Sequence, residues 1–208
     1  MTHSDVALTD YGLAVECALC SFLLFRVPAH AGHLKFDLLA FFSSLALAAA
    51  AGGTVHGFFP DEARIGHKIL WRFTLAMVGV TALCAVRIGA TMLMREATAD
   101  GVSRIAGVVF IVYVITALFF WQDFRLAIIG YLPSLLLLGA AFVVQFNTQR
   151  KLSALLGCIG ICTMLIAVLV QQLRVAISAR YFDHNALYHV LQAAALYLLY
   201  IAVRPAVG

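Results

Sequence analysis

Three histidines carry the strongest chemical signal in this sequence. His56 closes one long apolar segment, whereas His184 and His189 open the last one. Imidazoles at membrane depth are typical of metal sites, cofactor sites and proton relays. Three neutral imidazoles can hold a zinc ion and leave its fourth position to a water, whose pKa the ion lowers. The sequence therefore predicts a zinc site at these three residues, provided that the fold brings them together.

The composition indicates that these histidines belong to a membrane protein. Of 208 residues, 63% are hydrophobic and 12% are charged, and the mean hydropathy is +0.98. A soluble domain does not bury that much apolar surface. Segments long enough to cross a bilayer lie at 11–29, 36–58, 69–94, 104–122, 124–146, 152–177 and 186–203. We therefore expect an all-α, seven-transmembrane helix bundle that forms a single domain over 1–208.

Counting helices places the three histidines at one membrane face. With seven spans, the second helix ends on the side of the N-terminus, and the third and seventh helices begin there. His56, His184 and His189 should therefore share one layer. His184 and His189 are five residues apart, about 140° around a helix, so both can face one ion only if His184 precedes the first turn. Asp183 or Asn185 would then cap the helix.

Further side chains of the same layer are candidates for catalysis. Asp61 and His67 lie in the loop and at the start of the third helix, and Glu16 lies within about two turns of the layer on the first helix. Each could act as acid or base, or orient a ligand. His67 could instead be a fourth ligand, which would make the metal structural. Solvent or headgroup exposure is expected for the remaining histidines, His3, His30 and His33.

The pattern resembles the CREST superfamily of seven-span membrane proteins, which includes alkaline ceramidases and adiponectin-receptor-like proteins. That family places Ser-x-x-x-His late in the second helix, an aspartate near the start of the third, and His-x-x-x-His at the start of the seventh. His56 and His189 match, whereas Gly52 replaces the serine, Asn185 replaces the first histidine of the last motif, and the third helix has no acidic residue. The resemblance implies a zinc-dependent hydrolase of a lipid amide or ester with membrane lipids as partners, and the departures from its motifs imply an altered or degenerate site.

Other functions use the same residues. His56 and His189 could be the axial ligands of a haem in an electron carrier, or the chain could be a non-catalytic subunit or transporter whose histidines handle protons.

The net charge of +4 does not suggest a nucleic-acid partner. Cys17 and Cys20 could form a redox or zinc motif, although small apolar packing is the expected role. The distribution of Lys and Arg leans weakly towards an N-terminus outside the membrane.

Overall fold

The computed structural model describes residues 4–28, 32–178 and 182–207, and nearly all of them are helical. The seven long helices are α1 (Ser4–Arg26), α2 (Gly32–Phe58), α3 (Ile65–Leu93), α4 (Glu96–Phe119), α5 (Phe124–Gln149), α6 (Leu152–Gln172) and α7 (His184–Val203). Each is long and apolar enough to cross a membrane. The all-α, seven-transmembrane fold predicted from the sequence is thereby confirmed.

Some predicted helix boundaries are wrong. The first helix begins at Ser4 and not at 11, and the fourth begins at Glu96 and not at 104. Both starts include acidic residues, Asp5 and Asp10 in α1 and Glu96 and Asp100 in α4, which a search for apolar segments leaves out although a helix can contain them. The sixth helix ends earlier than predicted, at Gln172. The first correction matters most, since it places Asp10 inside α1.

Six helices form a closed ring in the order α1, α2, α3, α5, α6, α7, and α7 returns to α1. The fourth helix stands outside this ring and packs mainly on α3. In α4 only Ala99 and Ala117 are buried, so most of its surface faces the membrane. Because consecutive helices alternate in direction, α1, α3, α5 and α7 all begin at one end of the bundle. We call this the cleft end and the other the far end.

The small residues near the end of α2 allow α1 to approach closely, as their composition predicts. An added Cβ at Gly53 would lie 3.0 Å from Asp10 Cβ and 3.2 Å from the Ala7 carbonyl oxygen. An added Cβ at Gly52 would lie 3.4 Å from Asp10 Oδ2. The backbone of α2 therefore packs directly on the part of α1 that carries Asp10.

Capping residues fix two helix starts at the cleft end. Asp183 Oδ1 accepts hydrogen bonds from the backbone N–H groups of Asn185 and Ala186, both at 2.9 Å, so Asp183 is the predicted cap of α7. Asp123 caps α5 by accepting from the Arg125 N–H at 2.7 Å. Both caps satisfy backbone N–H groups at helix starts that lie at the same end of the bundle as the end of α2.

The cysteines are all free, and Cys17, Cys20 and Cys84 are buried. Cys17 and Cys20 pack within the main apolar core. Their surroundings favour the packing role over a redox motif.

Candidate functional site

A polar cleft of about 570 Å³ opens at the cleft end of the bundle. His56 from the end of α2 and His184 and His189 from the start of α7 all line it. The convergence predicted by counting helices is confirmed. The cleft walls also carry charged and amide side chains: Asp10, Glu62, Asp123, Arg125, Gln171, Arg174, Asn185 and Gln192.

Asp10 and His189 form the centre of this cleft. The Asp10 Oδ1 atom lies 3.2 Å from His189 Nε2, and the two side chains are only 6% and 11% exposed. Asp10 faces inward because it belongs to the buried stripe of α1, in which Val6, Asp10, Leu13 and Cys17 recur at helical spacing. A carboxyl group and an imidazole buried together within a membrane span are costly, and such pairs mark functional sites.

Thr9 fixes the orientation of the His189 ring. Its Oγ1 lies 3.2 Å from His189 Nδ1, and its hydroxyl donates to the backbone carbonyls of Asp5 and Val6 at 3.1 and 3.0 Å. Since a hydroxyl carries one hydrogen, we assign His189 Nδ1 as the donor to Thr9 Oγ1. The opposite nitrogen, Nε2, then shares a single proton with Asp10 Oδ1. The pair can hold that proton or release it.

The second carboxylate oxygen of Asp10 is buried and has no hydrogen-bond partner among the described residues. It faces the backbone of α2 at Gly52, where no side chain is present to donate a hydrogen bond. An unpaired buried oxygen of this kind costs about 1–3 kcal/mol. Buried polar groups left unsatisfied often have a catalytic role.

His56 stands between the polar cleft and a neighbouring side cleft of about 770 Å³. Its ring lies 6.3 Å from the ring of Trp71, in an edge-to-face arrangement. The Phe124 ring lies 6.2 Å from the ring of Trp71 and 6.2 Å from that of Tyr188. The Tyr188 ring in turn lies 5.2 Å from that of His189. These rings form an apolar wall that connects the two histidines around the cleft.

The structure separates the three predicted catalytic residues from the Asp10–His189 pair. Asp61 is exposed, accepts from the Ala63 N–H at 3.0 Å and lies 3.6 Å from Arg64 Nε. His67 donates from Nδ1 to the Phe59 carbonyl at 2.7 Å and lines the side cleft. Glu16 lies deeper on α1, half-buried, and its Oε1 is buried without a hydrogen-bond partner in the described part of the chain. Neither Asp61 nor Glu16 lines the polar cleft.

Among the histidines expected to be exposed, His33 is exposed, whereas His3 and His30 lie outside the described residues.

The donor set matches a zinc site only in part. Two atoms bound to one tetrahedral zinc stand roughly 3.3 Å apart, since each bond is about 2.0 Å. The 3.2 Å between Asp10 Oδ1 and His189 Nε2 suits such a pair. No group of three or more His, Cys, Asp or Glu residues is placed to hold a metal ion within 4–28, 32–178 and 182–207. Asp10 Oδ1 and His189 Nε2 are thus close enough either to share a proton or to be two ligands of one metal ion.

Comparison with known protein families assigns the chain to one of them. A family of unknown function, DUF6962, has a model that matches residues 6–206. The chain belongs to this family. The match spans every helix and includes Asp10, His56 and His189. Neither a curated protein nor a solved structure matches the chain, so the resemblance to the CREST superfamily stays a prediction.

Sequence reasoning missed Asp10. The first span was predicted to begin at 11, so this carboxylate fell outside the predicted helices. The spacing of Val6, Asp10, Leu13 and Cys17 is the signal that could have found it, because it continues the apolar stripe of α1 by another turn.

Proposed function

We propose that this protein is a membrane hydrolase that acts on an amide or ester bond of a lipid. The observation that carries this proposal is the Asp10–His189 pair, which is buried at membrane depth in the centre of a polar cleft. The exposed ends of the bundle provide many charged residues, but this pair combines burial, a shared proton and access to a cavity.

Hydrolysis requires a proton to move twice. A water loses a proton as its oxygen bonds to the carbonyl carbon, and the leaving nitrogen or oxygen gains one as its bond to that carbon breaks. In the form that has released its shared proton, the Asp10–His189 pair can accept the first proton and return it in the second step. Thr9 keeps the His189 ring in place throughout, because its contact with Nδ1 is not broken. The products are a fatty acid and an amine or alcohol.

The walls of the cleft suit an amphipathic substrate. Charged and amide groups from the helix ends line the cleft, whereas Leu45 and Val78 line it from deeper positions on α2 and α3. A lipid could therefore keep its head group among the polar residues while its acyl chain contacts the apolar wall. Arg125 and Arg174 at the rim provide positive charge for a phosphate or carboxylate head group.

The zinc predicted from the sequence stays part of this proposal and has its own test. Elemental analysis of purified protein should find about one zinc per chain, with a loss of most of it in His56→Ala, because three ligands are needed to hold the ion. A metal-free wild type that hydrolyses lipid would limit the reaction to the acid–base pair. Zinc that persists in His56→Ala would remove His56 from the site.

The activity itself is tested with purified protein in lipid vesicles. We expect release of free fatty acid from a panel of long-chain amides and esters by the wild type and none above background from heat-inactivated protein. A folded wild type that releases no fatty acid from any member of the panel would contradict the proposal. The haem alternative has less support, because Asp10 lies 3.2 Å from His189 Nε2, where haem iron would have to bind.

A further inference from the structure

A lateral groove on the membrane-facing side of the bundle lies between α4 and α5, over α3. It has a volume of about 430 Å³, which is in the range of ligand pockets. Its walls are apolar and include Val86 of α3, Ile105 and Val109 of α4, and Ile129 of α5. The groove lies within the spanning part of these helices, so lipid acyl chains can reach it directly.

Tyr113 holds this groove open. An added Cβ at Gly79 of α3 would lie 2.5 Å from Tyr113 Cε1, and one at Gly130 of α5 would lie 2.8 Å from Cε2. The ring therefore packs on the bare backbone of both helices. Its hydroxyl donates to the Leu75 carbonyl at 3.0 Å. Tyr113 thus acts as a spacer that sets the distance between α4 and α5.

A narrow neck connects the lateral groove with the polar cleft. The neck is an apolar cavity of about 40 Å³. It shares Val78, Ala127 and Tyr131 with the groove, and Val78, Phe124 and Gln192 with the polar cleft. Val78 lines all three spaces. A continuous path of lining residues therefore leads from the membrane to the cleft that contains Asp10 and His189.

Tyr131 is the side chain that closes this path. It lines both the groove and the neck, and it is 9% exposed. Its hydroxyl is buried and has no hydrogen-bond partner among the described residues. Rotation of its ring would therefore break no hydrogen bond within the described part of the chain. A neck of this volume must widen to admit an acyl chain, and no hydrogen bond of the Tyr131 hydroxyl to a described residue would resist this movement.

We infer that the acyl chain of a lipid substrate enters through the lateral groove, passes Tyr131 and places the bond to be hydrolysed beside Asp10 and His189. The inference rests on the proposed function and adds to it the entry path and the tail site. An acyl chain is the occupant that fits, because the groove continues through a neck too narrow for a helix of another protein and ends in a polar cleft that can hold a head group.

The test uses a long-chain acyl amide that carries a photoreactive diazirine on its chain, incorporated into vesicles with the protein. Bulk lipid can label exposed apolar surface and the groove itself, whereas Leu135 and Gln192 line the neck and not the groove and are 1% and 7% exposed. Labelling at these two positions, mapped by mass spectrometry, therefore reports entry into the neck. Fatty acid release is measured on the same samples.

Two neighbouring residues of α4 supply matched variants. Val109 lines the groove and is 60% exposed, whereas Val108 is 63% exposed and does not line it. We expect Val109→Trp to fill the groove and to lower neck labelling at least fivefold, since a bulky ring replaces the space of the chain. Val108→Trp should leave the labelling unchanged. Thermal unfolding of both variants verifies that neither substitution disrupts the bundle.

The outcomes separate the entry path from the proposed function. Neck labelling that Val109→Trp abolishes and Val108→Trp preserves supports the path. Fatty acid release without neck labelling, or equal labelling of the two tryptophan variants, overturns the path while the hydrolase stands. Neck labelling that responds as expected in a protein that releases no fatty acid preserves the path as a lipid site and overturns the hydrolase.

Discussion

Two buried aspartates, one at each end of the bundle, have opposite surroundings. At the cleft end, Asp10 lies 3.2 Å from the imidazole of His189, lines a large cleft and has an oxygen without a partner among the described residues. At the far end, Asp37 of α2 accepts a hydrogen bond from Arg87 Nε of α3 at 2.8 Å. Asp37 lines none of the described cavities.

The difference shows how a buried charge can be assigned to structure or to chemistry. The Arg87 guanidinium donates to Asp37 in a direct contact that joins α2 to α3. An imidazole can donate or accept a proton in catalysis, and the Asp10–His189 pair has space beside it for a substrate. A fixed pair without a cavity stabilises the bundle, whereas a titratable pair beside a cavity can transfer protons.

The largest expected effect is on turnover at the cleft end. We expect His189→Ala to lower the rate of lipid hydrolysis at least a hundredfold, because the group that shares the proton with Asp10 is removed. Arg87→Met, at the far end, should retain the wild-type rate per folded molecule. Initial rates at saturating lipid, corrected for the folded fraction, provide the comparison. Equal losses in both variants would remove the distinction between the two ends.

The second expected effect is on stability at the far end. Asp37→Asn should lower the free energy of unfolding by roughly 1–3 kcal/mol, because the Arg87 guanidinium loses its charged partner. The Arg87 side chain is 36% exposed and regains some hydration, which limits the loss. The double variant Asp37→Leu with Arg87→Met should recover most of it, since both charges are then absent.

Reversible unfolding in mixed detergent, followed by circular dichroism, measures these free energies. The single variants Asp37→Leu and Arg87→Met complete the comparison. If the double variant loses as much stability as these two single variants added together, Asp37 and Arg87 do not interact.

A smaller effect is expected at Gly52. An added Cβ there would be in contact distance of Asp10 Oδ2, at 3.4 Å. Gly52→Ser should be more stable than Gly52→Ala by about 1 kcal/mol, because the serine hydroxyl can donate to the unpaired oxygen. The serine would also restore the Ser-x-x-x-His pattern of the CREST superfamily. Thermal unfolding of the two variants measures the difference, and an alanine variant of equal stability would indicate that Asp10 Oδ2 is already satisfied.

The sequence predicted the fold and the layer of the site because both depend on hydrophobic length and helix direction. Seven apolar segments fix the number of helices, and alternation then places His56 and His189 at one end. That Asp10 is the partner of His189 could not be predicted in this way. Asp10 contacts His189 because Gly52 and Gly53 let α1 approach α2, and because α1 begins earlier than its hydropathy indicates.

Two candidates of the sequence, Asp61 and His67, lie away from the Asp10–His189 pair for a related reason. Asp61 follows His56 closely along the chain, and His67 lies near the start of α3 at the same end of the bundle. Both were therefore plausible partners of the histidines. Their side chains are instead used locally, by Ala63 and Arg64 for Asp61 and by the Phe59 carbonyl for His67. Proximity in a layer does not determine where a side chain points, because loop geometry decides it.

The central claim is that Asp10, and not Asp61, transfers protons in this site. The most direct measurement compares lipid hydrolysis by Asp10→Asn and Asp61→Asn, two substitutions that are identical in chemistry. We predict that Asp10→Asn loses at least a hundredfold in rate, whereas Asp61→Asn, an exposed change, stays within about twofold of the wild type. A large loss in Asp61→Asn together with full activity in Asp10→Asn would contradict the claim.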